Sequence, residues 1–200
     1  MVDLTVIIVS WNVRELLRRC LESLVLPRGT LEVIVVDNAS SDGSPETVRT
    51  DCPHVRLVRN DEKRGFPSAK NRGLELSNGR TLLLLNPDTE VVGDALATMV
   101  GYMDAHPEVG ALGPQLRYPD GGLQSSRRRF PSLSTALVES TVIQEWWKDN
   151  RILRRYYMSD TPDDAIQTVD WVVGACLLVR REAYEQACLL YTSDAADDLA

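Results

Sequence analysis

The residues best placed for chemistry stand where an apolar run stops. Leu82-Leu83-Leu84-Leu85 leads straight into Asn86-Pro87-Asp88-Thr89-Glu90. A short apolar run ending at proline and acidic residues reads as a buried parallel strand that reaches the edge of its sheet. Pro87 fixes its own φ and biases Asn86 towards an extended conformation, so the direction of Asp88 is constrained. In open α/β sheets ligands bind outside the carboxyl ends of the strands. Asp88 is thus a carboxylate at a ligand-binding rim, or one residue of an ordinary strand-end turn.

Two further polar clusters follow apolar runs in the same way: Ser10-Trp11-Asn12, and Asp37-Asn38-Ala39-Ser40-Ser41-Asp42-Gly43-Ser44. In a parallel sheet all three open on one rim. The second holds small residues that let a backbone approach a ligand closely, and it reads equally as an Asx-rich turn capping the next helix. A fourth cluster, Asn60 to Leu74, sets a glycine turn before a helix carrying Lys70, Asn71 and Arg72. Helix N-termini and cationic side chains suit phosphate groups, although such a run also serves as a solvated helix face. Arg127-Arg128-Arg129 offers donor-phosphate, lipid-diphosphate or headgroup binding, or a solvated loop. Trp146-Trp147 suits packing, or contact with an acceptor sugar or a membrane surface. His54 and His106 lack partners for metal or nucleophilic chemistry and are read as structural.

The elements that must position these residues alternate. Val6–Val9 is a strand, followed by a helix with Val13, Leu16, Leu17, Cys20, Leu21 and Leu24 on one apolar stripe. Leu31–Val36 is the second strand, and Ser44-Pro45-Glu46 starts a helix with Ser44 as its cap. Val55–Val58 is the third strand, a helix covers about Ser68–Leu76, and Thr81–Leu85 is the fourth strand. A helix from Gly93-Asp94 buries Leu96, Met99, Val100 and Met103. This β-α-β-α order predicts an α/β fold with a parallel doubly wound sheet. Beyond Val109 the pattern changes. Val109–Leu116 suggests a strand, Tyr118–Leu123 a hairpin turn, Arg127–Pro131 a basic loop before a helical stretch, and Val169–Val179 one or two strands broken at Gly174. Arg180 to Tyr184 opens a last helix.

The bulk numbers agree. Two hundred residues, 44% of them hydrophobic and 26% charged, suit a soluble domain with a real core. A net charge of −7 argues against nucleic-acid partners. No apolar run approaches the roughly 18 residues of a membrane span. No secretion signal precedes Val6, and the cysteines (20, 52, 176, 188) lack metal or redox spacing. Free thiols in a reducing cytoplasm are expected, with the inner face of the membrane as the place of any peripheral contact.

In order, Val6–Asn12, Val33–Ser44, Asn60…Gly65-Phe66…Asn71-Arg72-Gly73 and Leu84–Asp88 resemble the family 2 glycosyltransferases of GT-A fold, as do Gly122–Pro131 and Val169–Ala183. Within that family they are most similar to the bacterial rhamnosyltransferase-like group, over residues 4–187. The resemblance implies a Rossmann-like, mostly parallel sheet flanked by helices, incomplete at the C-terminus. It also implies transfer of a sugar, rhamnose in that group, from a nucleoside-diphosphate sugar to a saccharide or lipid-linked saccharide acceptor, with inversion, in cell-surface polysaccharide or glycolipid synthesis. Residues 1–115 would form the donor half, with Ser10, Asn12, Asp37, Asn38, Asp42, Asn71, Asn86 and Asp88 at the donor. Asp88 would be the main protein ligand of Mg²⁺ or Mn²⁺, Asn86 standing where the family motif has its first acid. Residues 116–187 would form part of the acceptor side. The family's catalytic base is an acid expected beyond Ala187, so none is assigned. From Cys188 the chain departs from the family, and Leu189–Asp198 resembles translated adapter sequence, a non-native tail over 188–200. Two alternatives remain: a non-catalytic nucleotide-sugar binding protein, and an unrelated nucleotide enzyme, against which the lack of a Gly-x-Gly-x-x-Gly loop counts.

Overall fold

The computed structural model describes residues 2–26, 29–139 and 150–187. They form two compact units, one from the described parts of Met1–Leu112 and Gly174–Ala200, the other from Gly113–Val173.

The first unit is built on β1 (Val2–Ser10), β2 (Leu31–Asp37), β3 (Arg56–Arg59) and β4 (Gly79–Leu85), alternating with α1 (Arg14–Glu22), α2 (Ser44–Asp51) and α3 (Phe66–Glu75). After α4 (Ala95–Ala105) come β5 (Ala111–Leu112), β10 (Cys176–Arg180) and α7 (Arg181–Ala187). The sheet order is β3-β2-β1-β4-β10-β5, with β1 to β4 parallel and β10 antiparallel to both its neighbours. The expected α/β class and mostly parallel sheet are present. Leu4, Val6, Ile7, Ile8, Ile34, Val35, Val36 and Leu82 to Leu85 are all buried. Burial on both faces explains why these strands read as continuous apolar runs.

Several boundaries differ from the sequence expectation for identifiable reasons. Leu16 is 41% exposed, because α1 buries Leu17, Cys20 and Leu21 and leaves Leu16 at the margin of that arc. Ser44 is the first residue of α2 rather than its cap. Gly43 precedes it at φ +86°, and Asp42 Oδ1 accepts from the Ser44 amide at 3.0 Å. The strand expected over Val109–Leu116 is broken at Gly113-Pro114 into β5 and β6 (Leu116–Arg117), since proline brings no amide to a ladder. The segment Val169–Val179 likewise resolves into β9 (Trp171–Val172) and β10.

In the second unit β6 and β7 (Leu123–Gln124) form the expected hairpin, closed by Tyr118 N–H to Gly122 O at 2.8 Å. β8 (Arg127–Arg128) pairs with β9, and α5 (Leu133–Glu139) packs against α6 (Arg151–Tyr156). Only Arg127 and Arg128 of the basic loop form a strand, and the guanidinium groups of Arg127, Arg128 and Arg129 are all engaged. Arg127 donates to Pro162 O at 2.8 Å and pairs with Asp163. Arg129 reaches both oxygens of Asp160, at 2.8 and 2.9 Å. Arg128 lies 4.5 Å from the Tyr157 ring centroid and donates to Ser125 O. Trp146-Trp147 and the tail from Cys188 lie outside the described residues.

α3 lies close on the sheet because Gly73 has no side chain. A Cβ there would meet Ile7 Cγ2 at 2.5 Å. Overpacking of this kind costs about 1–3 kcal/mol. Gly73→Val should lower the unfolding free energy by about 2 kcal/mol in urea titrations followed by circular dichroism. An unchanged midpoint would show that α3 can slide away from β1.

Candidate nucleotide-sugar site

In-register pairing brings the strand ends level. Ser10 lies opposite Asp37, Asp37 opposite Arg59, and Ile8 opposite Leu85 two residues before Ser10. The chain builds β2 and β3 on one side of β1 and then crosses to place β4 on the other. The β1–β4 boundary is thus a topological switch point, where α/β sheets open a crevice.

Among the described residues, three buried polar atoms at this rim have no hydrogen-bond partner: Ser10 Oγ, Asp37 Oδ1 and Asn86 Oδ1. Each such atom costs about 1–3 kcal/mol, and buried polar groups are satisfied in the great majority of cases. Asp37 is only 1% exposed. Its Oδ2 accepts from Ser40 N–H at 3.1 Å and lies 3.9 Å from Arg59 Nε, which leaves Oδ1 as the open acceptor. Asn86 is fixed through its backbone. Its N–H donates to Ala175 O at 2.9 Å, and its carbonyl accepts from Thr89 N–H at 3.2 Å and from the Cys20 thiol at 3.8 Å. Two residues on, Asp88 is exposed, while Glu90 is tied to Arg19.

The other residues singled out from the sequence hold the rim in shape. Asn12, at φ +51°, donates its amide to Ser40 Oγ at 3.0 Å and accepts from Ser41 N–H at 2.8 Å. Asn38 accepts from Asn60 Nδ2 and from Arg64 N–H, both at 3.0 Å, and donates to Arg64 O. Asp42 links two helix starts, taking the Arg14 amide on Oδ2 and Ser44 on Oδ1. Burial alone would raise its pKa, but the hydrogen bonds from Ser44 and Arg14 hold the carboxyl below its usual range. Asn71 is half-buried on α3. Lys70, which the sequence offers as a phosphate ligand or a solvated cation, is buried, with Nζ 3.5 Å from Gly174 O and 4.1 Å from the Phe66 ring centroid.

On the β3 side of Asp37 a pocket of about 430 Å³ is lined by Ala39, Ser40, Arg59, Asn60 and Asp61. Sequence patterns place Arg59 just outside the fourth polar cluster and Asp61 within it, with no role for either. The one available signal is a charge pair bracketing Asn60 directly after a short apolar strand. Lys63 Nζ also sits 3.7 Å from the exposed Trp11 ring centroid at this rim.

Residues 5–187 match the family described as glycosyl transferase family 2. The chain belongs to that family. This family 2 chain is 30% identical over 195 residues to N-acetylglucosaminyl-diphospho-decaprenol L-rhamnosyltransferase of Mycobacterium tuberculosis, covering 92% of itself and 63% of that protein. It is 35% identical over 105 residues to succinoglycan biosynthesis protein ExoO of Rhizobium meliloti, covering 52% of itself and 30% of that protein. The chain thus spans less than two thirds of the length of these relatives. Among solved structures, the mannosyltransferase PcManGT from Pyrobaculum calidifontis, in complex with GDP-Man and Mn²⁺, superposes with a TM-score of 0.53 at 32% identity, over 59% of this chain and 36% of that one. Staphylococcus aureus TarS with UDP gives 0.55 at 20% identity, over 64% and 40%, a likeness of fold alone. The fold is GT-A, as the sequence motifs imply.

Among the described residues no group of three or more His, Cys, Asp or Glu side chains is arranged around a metal position. At the β4 end of the rim the open oxygen of Asn86 and the exposed carboxylate of Asp88 are oxygen donors of the kind that hard cations take.

Behind this rim burial pushes the Cys20 thiol up to about 12, with the Asp88 charge adding to it, and burial pushes Cys176 up to about 12 as well. Both folded values exceed the ordinary value of 9.0, so the associated stabilisation is complete below about pH 9 and is lost as pH rises towards 12. At pH 8 a water-soluble maleimide should label these two thiols only at the rate of unfolding. Labelling as fast as in urea would place them at the surface. Asn38→Ala should cost about 1–3 kcal/mol in thermal unfolding, because it strands the buried Asn60 amide and frees the segment before α3.

Proposed function

We propose that the chain provides the donor site of a glycosyltransferase moving a sugar from a nucleoside diphosphate to an acceptor hydroxyl. The carrying observation is the row of unsatisfied buried oxygens on Ser10, Asp37 and Asn86 along the switch-point rim. Such atoms call for a ligand that brings hydrogen-bond donors and a bound cation. Asp37 Oδ1 accepts an N–H or O–H from base or ribose, with the pocket beside Arg59 and Asn60 taking the nucleoside. Ser10 Oγ, buried at the end of β1, would accept from or donate to the same ligand. Asn12, Asn38 and Asp42 act by fixing the loops, and Asn71 approaches the donor from α3.

Asn86 and Asp88 stand on the β4 side, where the diphosphate would lie. They would hold Mg²⁺ or Mn²⁺, which when bound neutralises charge on the departing nucleoside diphosphate. The rigid Asn86 backbone keeps these side chains aimed, so little ordering is needed on binding. Inverting transfer also needs a general base within hydrogen-bond reach of the attacking hydroxyl. By resemblance that base lies after α7, and no described residue is assigned to it.

Rhamnose as the sugar and a lipid-linked saccharide as the acceptor are supported by the name of the mycobacterial relative. We assign donor contacts to residues 1–115 and acceptor contacts to residues 116–187. Buried free thiols at Cys20, Cys52 and Cys176 support our reading of a reducing, cytoplasmic setting for the reaction.

Titration calorimetry with UDP and GDP, in Mn²⁺ and in chelator, tests the site. Asp37→Ala should weaken binding at least about tenfold in both conditions, as loss of a charged hydrogen bond does. Asp88→Ala should remove the Mn²⁺-dependent gain and leave binding in chelator and the circular dichroism unchanged. Parent-like binding by Asp88→Ala in Mn²⁺ would exclude it as a metal ligand. Tight nucleotide binding without transfer by a chain extended past Ala187 would favour the non-catalytic reading.

A further inference from the structure

Arg59 brings donors to the pocket beside Asp37 that nothing in the fold takes up. It is the last residue of β3, the edge strand of the sheet, and its side chain is 41% exposed. Among the described residues its guanidinium makes two ion pairs, Nε to Asp37 Oδ2 at 3.9 Å and Nη1 to Glu46 Oε1 at 3.6 Å. Both are longer than a hydrogen bond, so the N–H fork remains available. The other polar side chains at the pocket hold the wall together. Ser40 Oγ accepts from the Asn12 amide, and Asn60 donates to Asn38 Oδ1 and accepts from Arg72. The charged lining groups are Arg59 and the exposed Asp61.

Asp37 stands behind the same wall. Its Oδ2 takes the Ser40 amide and lies near Arg59, while its Oδ1 is buried and open. One open oxygen matches a group that brings one hydrogen. A ring N–H does so, whereas an exocyclic amino group brings a second hydrogen that this oxygen leaves without an acceptor. A cation with free donors beside it matches a carbonyl oxygen. Uracil, thymine and guanine each set a ring N–H next to a carbonyl. Cytosine and adenine carry an amino group at the corresponding place, next to a bare ring nitrogen whose lone pair repels a carboxylate.

We propose that Arg59 is a specificity-determining residue, donating to a base carbonyl while Asp37 Oδ1 accepts the adjacent ring N–H. The chain then takes uracil, thymine or guanine nucleotides in preference to cytosine or adenine nucleotides. This rests on the nucleoside-diphosphate donor site proposed for the rim. The pocket, about 430 Å³, lies within the range of small-molecule sites, about 300–1,000 Å³. The pair with Glu46 is weak competition, because the Glu46 side chain is 61% exposed and ion pairs in solvent contribute little.

Titration calorimetry with UDP and CDP tests this, since the two ligands share ribose and diphosphate and differ only at the base edge. The parent chain should bind UDP at least about tenfold more tightly. Arg59→Met should weaken UDP about tenfold and leave CDP nearly unchanged, with the circular dichroism of the parent. Analogues separate direct contact from an effect through Asp37. Of 2-thio-UDP and 4-thio-UDP, whose sulfur is a poor acceptor, one should bind the parent more weakly than UDP does. Arg59→Met should bind that analogue and UDP alike. Equal binding of UDP and CDP by the parent, or equal weakening of both by Arg59→Met, would overturn the proposal and leave the donor site standing. Sensitivity to the thio analogue that persists in Arg59→Met would overturn it too. Failure of the parent to bind either nucleotide would remove the donor site itself, and this assignment with it.

Discussion

The structure depends on the double in-register pairing of β1. Val6, Ile7 and Ile8 pair with β2 on one side and with β4 on the other, and all three are fully buried. Because side chains alternate with a period of two, slipping this ladder by one residue would turn every apolar side chain over at once. The same ladder sets the level of the strand ends. Ser10 and Asp37 lie side by side because Val6 lies beside Val33. The geometry of the rim is therefore inherited from the core, and the loops have only to be held in place. Asn12, Asn38 and Asp42 do this with side-chain bonds to backbone amides in neighbouring loops.

This division of labour explains what the sequence made legible. The strands β1, β2 and β4 stand out because burial on both faces demands unbroken Val, Ile and Leu. The polar residues that follow them mark the rim, although a helix-capping turn uses the same Asp, Asn and Ser, and Asp42 serves in that way. What stayed hidden depends on partners distant in sequence. Lys70 is written like a surface cation, yet it is buried against Phe66 and reaches a carbonyl at Gly174. Arg127 to Arg129 look like a free basic patch because Asp160, Asp163 and the tyrosines lie about thirty residues further on. Asp42 was legible as a polar rim residue, but its role as a double helix cap required knowing that α1 and α2 begin beside each other. Nothing in the run from Gly174 to Arg180 announces that β10 enters antiparallel. That choice is made by its register against Thr81 to Leu85 across the ladder, not by local preference.

The site also shows where stability has been given up. A core this apolar could have ended its strands in satisfied turns. Three buried oxygens without partners are instead left at adjacent strand ends. Their desolvation cost is borne by the surrounding sheet until donors or a cation reach them. Such a site should discriminate by chemistry more than by shape, because a ligand lacking the complementary groups leaves the same atoms unsatisfied.

The bond from the Asn86 amide to Ala175 O carries a consequence for the order in which the protein is made. The first unit is discontinuous in the chain, with Gly113–Val173 between its two parts. On the ribosome β1 to β4 emerge early and can pair locally through their crossovers. The edge of β4 stays bare until the whole second unit has been synthesised and β10 has arrived. Asn86 acquires its fixed backbone only then, so the nascent chain carries an exposed strand edge for the time needed to translate the insert.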